Sequence, residues 1–236
     1  MIRQSAAGVG KPLSPEGVRR MLALRVNTIC QGHSGARLET VNALIDAFNN
    51  DRLPMVPMQG TVGASGDLAP LAHLTMGVFG EGELICGDRM EITAKLTDLG
   101  PKEGLALING TQFITSIAVE AICRAKLLLD QSIIVAAMTI EGLKGIPSAF
   151  DKDLHAARRH KGQAAIAERL CQLLPNKNNE SKLFERHQGK DHVQDAYSIR
   201  CIPQVLGIVY DSLRFITDII NAETNAVTDN PVNCLI

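Results

Sequence analysis

The sequence predicts an all-α, mainly helical protein. Apolar residues recur at helical spacing in several segments, and helix-capping residues stand where those segments begin and end. The composition, with 45% hydrophobic and 21% charged residues, is that of a globular chain. The 236 residues show no internal repeat and no low-complexity linker. We therefore expect a single domain.

The first two predicted helices lie in the N-terminal fifty residues. Ser14, Pro15 and Glu16 have the order of an N-cap, a first-turn proline and an acid that complements the helix dipole. Four apolar residues then follow at helical spacing, before Gly32 can close the helix: Val18, Leu22, Val26 and Ile29. The second helix has five apolar residues on one face, and Asn49–Asn50 ends it: Leu38, Val41, Leu44, Ile45 and Phe48.

The middle of the chain is predicted to lead into one long helix. Pro54 and Pro57 indicate an extended connection, and residues 80–100 are interpreted as a loop-rich or small hairpin segment. The stretch from about 111 to 137 is apolar on nearly every side, which is typical of a helix buried inside something larger. Further elements are expected at these positions: helices near 151–160 and 163–174, a polar surface loop at 175–191, and a helix that begins after Pro203.

Charge and cysteine usage exclude several classes of protein. Lys plus Arg number 24 and Asp plus Glu number 25, so no electrostatic attraction to nucleic acid or an anionic membrane follows. No apolar run approaches the ~20 residues that a membrane helix needs, and the first ten residues lack the apolar core of a signal peptide. The six cysteines contain no CxxC pair, which favours reduced core thiols in a cytoplasmic protein. The histidines form no HExxH motif, and we expect no metal site.

The tripeptide Ala64-Ser65-Gly66 has the most unusual chemistry in the chain, although such a short motif is weak by itself. In a bent backbone, the amide nitrogen of Gly66 can attack the carbonyl carbon of Ala64 and close a five-membered ring. Loss of the Ser65 hydroxyl then leaves an exocyclic methylene. Gly66 suits this attack because it has no side chain to crowd the nitrogen. The product is an electrophile that no ordinary side chain provides.

Four segments resemble one enzyme family. Residues 60–74, GTVGASGDLAPLAHL, resemble the prosthetic-group signature of the histidine ammonia-lyase family, which includes phenylalanine and tyrosine ammonia-lyases and aminomutases. Three further blocks resemble this family in its own order: EGLALINGTQ at 103–112, VQDAYSIRCIPQVLG at 193–207 and TNAVTDNP at 224–231. The resemblance implies a partial lyase domain over 1–236. The prosthetic-group region would be about 1–110, and about 111–236 would be the start of a central helical bundle.

The resemblance assigns the electrophile and its neighbours. It implies that Ala64, Ser65 and Gly66 form a 4-methylidene-imidazol-5-one group, with Asp67 beside it favouring the cyclised geometry. Asn109 would hydrogen-bond near the ring, although its position also suits an N-cap of the long helix. No metal or dissociable cofactor is implied.

The resemblance also assigns substrate-binding residues. Arg200 would bind the substrate carboxylate through its planar guanidinium group, unless it forms a surface ion pair. Tyr197 would share a helix face with Arg200 and approach the prosthetic group, and its alternative is a half-buried packing role. Gln194 would fall on the same face. Ser5 stands where histidine lyases carry a substrate-contacting histidine, which puts the substrate preference in question.

The implied reaction is non-oxidative removal of ammonia from an amino acid, foremost L-histidine to trans-urocanate in histidine catabolism. Two alternatives stay open: a phenylalanine or tyrosine ammonia-lyase or aminomutase, and a truncated, non-catalytic lyase-derived scaffold. Family chains are considerably longer, so the resemblance implies a fragment with little lyase activity by itself. We further expect a cytoplasmic homo-oligomer, which is a tetramer in the family.

Overall fold

The computed structural model describes residues 1–86, 95–174, 193–229 and 231–232. Among these residues the fold is mainly helical, which confirms the all-α prediction. The polar loop expected at 175–191 lies outside the described residues. The α-helices, numbered in chain order, are α1 (Ile2–Ser5), α2 (Pro15–Cys30), α3 (Leu38–Asn49), α4 (Leu68–Val78), α5 (Glu103–Ile108), α6 (Gln112–Gly142), α7 (Lys152–Ala157), α8 (Lys161–Leu173), α9 (Tyr197–Arg200) and α10 (Ile202–Thr224).

Short strands form two small antiparallel pairs. They are β1 (Val9–Pro12), β2 (Leu53–Pro54), β3 (Pro57–Gln59) and β4 (Leu84–Cys86). β1 pairs with β3, and β2 pairs with β4. In the segment 80–100, which we expected to be loop-rich or a small hairpin, the described strand β4 pairs with a strand thirty residues earlier. Residues 87–94 of that segment lie outside the description.

Helix ends follow the capping chemistry of the sequence. The Ser14 hydroxyl accepts a hydrogen bond from the Gly17 amide at 3.2 Å, as expected of an N-cap. The Gly32 amide donates to the Ile29 carbonyl at 3.0 Å, and Gly32 has a φ of +83°. Because L side chains rarely adopt this φ, glycine suits the C-terminal end of α2. α3 ends at Asn49, also as predicted.

The chain divides into two compact units. The first unit contains Met1–Glu120 and Ile220–Ile236, and the second contains Ala121–Ile219. The first has its own apolar core from α2, α3, α4 and α5, which includes Met21, Leu44 and Leu71. The second has a separate core around Ile140, Phe150 and Ile166. The expected single partial lyase domain stays a prediction.

The long helices carry apolar residues that this chain leaves exposed. α6 exceeds its predicted C-terminal end by five residues and reaches Gly142. Large apolar side chains are exposed along α6 and α10: Ile114, Ile117, Leu127, Leu128, Ile134, Val135, Met138, Val205, Ile208, Val209, Phe215, Ile216 and Ile219. The apolar character predicted from the sequence is therefore confirmed. The described part of this chain does not bury these faces.

The segment Glu103–Gly142, which contains α5 and α6, is long and apolar enough to cross a membrane by length and composition, with a mean hydropathy of 1.4 over its best 18 residues. This corrects the expectation that no such segment exists, because scattered polar residues interrupt the apolar run without lowering its average far. Core helices of water-soluble proteins meet the same criterion, and 44% of this window is buried.

The cysteines are less buried than expected. Cys30 and Cys123 are exposed, and Cys171 and Cys201 are partly buried. The prediction of core thiols is therefore wrong for the exposed pair, since Cys30 ends α2 and Cys123 lies on an open side of α6. None of these four forms a disulfide. The side chain of Cys86 and all of Cys234 lie outside the description.

Candidate active site

The Ala64–Gly66 tripeptide lies in a bend between β3 and the start of α4. Ala64 and Ser65 are exposed, and Gly66 has a φ of +90°. A Cβ atom at Gly66 would lie 2.7 Å from the Gly110 carbonyl oxygen and 2.9 Å from its nitrogen. Real Cβ atoms do not approach backbone this closely, so only glycine fits both the φ and the space. The bend expected for ring closure is thus present.

Asp67 holds this bend in place through buried hydrogen bonds. Its side chain is fully buried, and its amide donates to the Gly110 carbonyl at 2.6 Å. One carboxylate oxygen accepts from the Thr61 hydroxyl at 2.7 Å, and the other accepts from the Ile114 amide at 2.9 Å. Burial raises the pKa of Asp67, and these hydrogen bonds oppose the rise. Asp67 therefore ties the tripeptide to the first turn of α6.

Asn109 lies in the turn that joins α5 to α6, directly before Gly110, whose backbone contacts the tripeptide. It is the C-cap of α5, with φ −94° and ψ 107°, so the alternative N-cap role ahead of the long helix is wrong. α5 is a separate short helix that the sequence pattern did not predict. The backbone amide of Asn109 donates to the Leu105 carbonyl at 2.9 Å, and its backbone carbonyl accepts from Arg25 at 2.9 Å. Its partly buried side-chain amide makes no hydrogen bond with the described residues.

α5 is oriented by a buried carboxylate at its start. Glu103 accepts hydrogen bonds from the Arg37 amide at 2.7 Å, the Thr40 hydroxyl at 2.6 Å and the Gly100 amide at 2.5 Å. The Arg37 guanidinium adds an ion pair at 2.8 Å. Burial would raise the pKa of Glu103, but these donors outweigh it and hold the pKa at about 2. Glu103 is thus ionised at neutral pH and fixes the helix that ends at Asn109.

Arg25 holds the same turn from α2, and the sequence analysis missed it. Its side chain is fully buried, and it donates to the Gln112 side-chain oxygen at 2.8 Å, to the Asn109 carbonyl at 2.9 Å and to the Ala106 carbonyl. Burial lowers the pKa of Arg25 to about 10. A usable signal was present, because Arg25 lies four residues after Met21 and four before Ile29, on the apolar face of α2.

Tyr197 and Arg200 lie together in the second unit, on α9. The Arg200 guanidinium stacks over the Tyr197 ring, 4.5 Å from its centroid, which confirms that they share a face. Arg200 donates through Nε to the Asp195 carbonyl at 2.8 Å. No ion pair of Arg200 is found among the described residues, and Tyr197 is 72% exposed rather than half-buried. Neither structural alternative weighed for these residues is therefore observed.

Gln194 does not lie on the helix that carries Tyr197 and Arg200. α9 begins at Tyr197, and the preceding Ala196 is extended, so the predicted helical spacing fails. The chain is held extended here because the Asp195 carboxylate accepts from the Ile146 amide at 2.5 Å. Gln194 nevertheless lines the same cavity of about 320 Å³ as Tyr197 and Arg200.

Ser5 ends α1, a short helix that the sequence did not predict. It is partly buried, and its hydroxyl donates to the Met1 carbonyl at 3.2 Å. Three residues later, the Gly8 amide donates to Nε2 of His73 on α4 at 3.1 Å. Burial lowers the pKa of His73, which favours the neutral ring that can accept this bond. The helix that follows the tripeptide therefore also holds the segment after Ser5.

Comparison with known proteins identifies the family. The sequence pattern of the family described as aromatic amino acid lyase matches residues 1–233. The chain belongs to this family. Histidine ammonia-lyase of Mus musculus is 50% identical over 98% of this chain and 37% of its own length. The resemblance seen in the four sequence blocks is thereby confirmed.

Solved structures give the same family for the fold. The crystal structure of histidine ammonia-lyase from Trypanosoma cruzi matches with a TM-score of 0.84 and 43% identity, over 99% of this chain and 44% of that one. Tyrosine aminomutase from Streptomyces globisporus matches with a TM-score of 0.84 and 32% identity, over 99% of this chain and 48% of that one. The chain thus spans less than half the length of these relatives.

Within this lyase chain, the candidate residues fall into two groups. The tripeptide, Asp67, Asn109 and Ser5 belong to the first unit, where the tripeptide and the turn at Asn109–Gly110 are in contact. Gln194, Tyr197 and Arg200 belong to the second unit and line one cavity. The candidate residues are therefore divided between the two units.

Proposed function

We propose that this chain carries the prosthetic-group part of an ammonia-lyase that converts L-histidine to trans-urocanate and ammonia. The observation that carries this proposal is the bent Ala64–Gly66 tripeptide, in which Gly66 has a positive φ and lies against Gly110. Histidine ammonia-lyases at 50% and 49% identity support the choice of substrate. The family is known for a methylidene-imidazolone group, and the tripeptide is where we propose it forms.

The residues of the tripeptide fit this group. Ring closure needs a bend with little bulk at Ala64 and none at Gly66, and the backbone already bends there. Ser65 is exposed, so its hydroxyl can be lost to water during formation of the methylidene. The group, once formed, supplies an electrophile that makes the substrate's amino group a better leaving group. Asn109 would place its free amide near the ring.

Arg200 is proposed to bind the substrate carboxylate. Its Nε is engaged by the Asp195 carbonyl, while its two terminal nitrogens have no partner among the described residues. A planar guanidinium that is held at one end presents its other donors to a carboxylate with two parallel hydrogen bonds. Tyr197 stacks beside it with an exposed ring and is proposed to act in proton transfer or orientation at the reacting group. Gln194 adds an amide to the same cavity.

Ser5 bears on which amino acid is preferred. A serine hydroxyl is shorter than an imidazole and does not titrate near neutrality, so it cannot make the same contact with a histidine ring. We therefore propose that a complete enzyme with Ser5 is slower on histidine than its Ser5→His variant. Equal or lower kcat/KM for histidine in the Ser5→His enzyme would contradict this role of the position.

A second candidate is an aromatic lyase or aminomutase. It is favoured by the similarity to tyrosine aminomutase at 32% identity and by the absence of the expected histidine at Ser5. Measuring kcat/KM on histidine, phenylalanine and tyrosine separates these enzymes. The non-catalytic scaffold would give no turnover on any of them and no dehydration of the tripeptide.

We propose that the protein is a cytoplasmic homo-oligomer, a tetramer in its complete form. The support is the exposed apolar surface of α6 and α10, which includes Leu128, Met138 and Phe215. Isolated helices with such faces associate in water because burial of apolar surface is favourable. Exposed Cys30 and Cys123 without disulfides suit a reducing compartment. A monomer by light scattering at micromolar concentration would contradict the association.

Mass spectrometry tests the proposed prosthetic group directly. Ring formation removes two water molecules from the peptide that contains residues 60–74, and it creates near-ultraviolet absorbance. We expect both signals in the wild-type chain and neither in Ser65→Ala, which has no hydroxyl to lose. Ser132→Ala is the matched control, because this serine lies on α6 outside the tripeptide. Dehydration of the Ser65→Ala peptide would refute the assignment of Ser65.

Turnover is tested separately. We expect the chain by itself to convert little or no histidine, because it spans only 37% of the length of the mouse enzyme. Urocanate formation is followed by its ultraviolet absorbance. Sustained urocanate production by the 236-residue chain would show that no further segment is needed.

A further inference from the structure

Arg25 is a buried cation that the proposed reaction does not use. It is fully buried, its Nε has no hydrogen-bond partner among the described residues, and its other nitrogens donate to neutral oxygens. The charge of Asp229 favours the charged guanidinium, but it does not outweigh the cost of burial, and no carboxylate hydrogen-bonds Arg25. Such a buried charge is a poor way to gain stability. The burial of Arg25 in the core of the first unit is therefore better explained by the groups that it holds in position.

The guanidinium of Arg25 joins the two ends of the turn between α5 and α6. Its Nη2 donates to the Ala106 and Asn109 carbonyls, which belong to the C-terminal end of α5. Its Nη1 donates to the side chain of Gln112, the first residue of α6. The C-terminal carbonyls of a helix favour a cation, and one planar group with fixed donors can hold all three acceptors at once.

Gly110 lies between Arg25 and the tripeptide. A Cβ atom at Gly110 would lie 2.2 Å from Arg25 Nη1 and 2.2 Å from the Gln112 side-chain oxygen. On its other side, the Gly110 carbonyl accepts from the Asp67 amide at 2.6 Å, and its backbone lies against Gly66. The position of Arg25 therefore determines where the Gly110 backbone meets the bend.

We propose that Arg25 is a positioning residue that sets Asn109 and Gly110 against the Ala64–Gly66 tripeptide, and so promotes its cyclisation. This inference rests on the proposed function, because it assigns a role toward the group formed there. Gln112 completes the arrangement, since its amide nitrogen donates to the hydroxyls of Thr28 at 3.1 Å and Thr228 at 2.9 Å while its oxygen accepts from Arg25.

The test compares Arg25→Lys with Arg20→Lys in the full 236-residue chain. Lysine keeps the charge but is a point donor that cannot bridge the three acceptors. Arg20 is the matched control, because it lies on the same helix and contacts Ser116 and Glu120 rather than the turn. In protein with wild-type helical circular dichroism, we expect the dehydrated fraction of the tripeptide to fall at least fivefold in Arg25→Lys and to stay unchanged in Arg20→Lys.

Amide hydrogen exchange at Asp67 gives a readout that does not require the ring. Loss of the Arg25 contacts should loosen the Asp67–Gly110 bond and raise the exchange rate at Asp67 roughly fivefold or more. The same rate is expected to be unchanged in Arg20→Lys. If the wild-type chain does not dehydrate, the proposed function is contradicted, and exchange at Asp67 still decides the positioning role.

A second variant provides the test if Arg25→Lys does not fold. Gln112→Met removes one acceptor of Arg25 with a side chain of similar shape, so its effect on dehydration and exchange should have the same direction and be smaller. Wild-type dehydration and wild-type exchange at Asp67 in folded Arg25→Lys would overturn the proposal. If that variant does not fold, the same result in Gln112→Met would overturn it.

Discussion

The two units of the chain differ in how their candidate residues are held. In the first unit, Gly66 and Asp67 are fixed by short hydrogen bonds and backbone contacts within the unit. In the second, Tyr197 is 72% exposed, and Arg200 keeps two nitrogens without a described partner. The first set suits a reaction of the backbone with itself, which requires a fixed geometry. The second suits contact with a separate molecule, which requires open donors.

Substitution of Gly66 should have the largest effect on the free energy of unfolding. Gly66→Ala places a Cβ atom 2.7 Å from the Gly110 carbonyl oxygen at a φ of +90°. Left-handed strain and backbone overlap together should cost about 3 kcal/mol. The measurement is denaturant unfolding, with Gly63→Ala as the control.

Gly63 also has a positive φ of +65°, but no atom lies within 4 Å of a Cβ placed there. Its replacement by alanine should cost only the left-handed strain of about 1 kcal/mol. Equal losses in the two variants would show that the contact with Gly110 does not constrain the bend.

Asp67→Asn should have the next largest effect. The new amide nitrogen would face either the Ile114 amide, which can only donate, or the Thr61 hydroxyl, which would have to turn from donor to acceptor. Either way the buried hydrogen bonds to a charged carboxylate are lost, at a cost of about 1–3 kcal/mol. Asp130→Asn, at an exposed position on α6, should change the free energy of unfolding by less than about 0.5 kcal/mol. Similar losses of unfolding free energy in both variants would show that Asp67 in the first unit is held no more firmly than the exposed Asp130 in the second.

The bond between Gly8 and His73 predicts a pH dependence of stability. Because the folded protein favours the neutral His73 ring, the unfolded chain takes up this proton first as the pH falls below the ordinary value of 6.5. This contribution is therefore complete above pH 6.5 and is lost as the pH falls through the lowered pKa of the folded state. The measurement is the free energy of unfolding between pH 7.5 and 5.

His73→Gln should flatten that dependence, because glutamine offers an acceptor to Gly8 and does not titrate. His160→Gln is the control, since this histidine is exposed in the second unit, and it should keep the wild-type slope. A wild-type slope in His73→Gln would assign the pH dependence to other groups.

Tyr197→Phe should have the smallest effect on stability, within about 0.5 kcal/mol, because its ring is exposed. In the complete lyase, loss of the hydroxyl should lower kcat by about a hundredfold or more if it takes part in proton transfer. Denaturant unfolding of the chain and steady-state kinetics of the complete enzyme measure the two effects. A large loss of stability with unchanged kcat would instead make Tyr197 a packing residue.

Local chemistry made part of this fold predictable. The two ends of α2 could be predicted from Ser14, Pro15 and Gly32, because capping depends on residues within one turn of the helix end. The tripeptide was found because its reaction involves three consecutive residues. Tyr197 and Arg200 were assigned by the family resemblance, and their shared face was predicted because residues three positions apart are neighbours on a helix.

Features set by distant contacts could not be predicted in the same way. Gln194 is three residues before Tyr197, but the Asp195–Ile146 bond keeps the chain extended there and ends the helical spacing. α4 begins directly after the glycine-containing bend, and the sequence pattern did not predict a helix there. The place of Arg25 on the apolar face of α2 indicates burial, but its partners, the carbonyls of Ala106 and Asn109, lie about eighty residues away in the sequence and are seen only in the fold.

The contacts of the α10 terminus have a consequence for the order in which the protein matures during synthesis. Residues 220–229 contribute to the first unit: Thr228 accepts from Gln112, and the Glu223 carboxylate accepts from Thr111. The ribosome therefore completes the entire second unit before the surroundings of the turn at Asn109 are present. At ~5–20 residues per second, the tripeptide leaves the exit tunnel roughly 8–30 seconds ahead of these partners. Cyclisation is thus expected to be a late step, which nascent chains arrested before residue 220 would reveal as tripeptide that has not lost water.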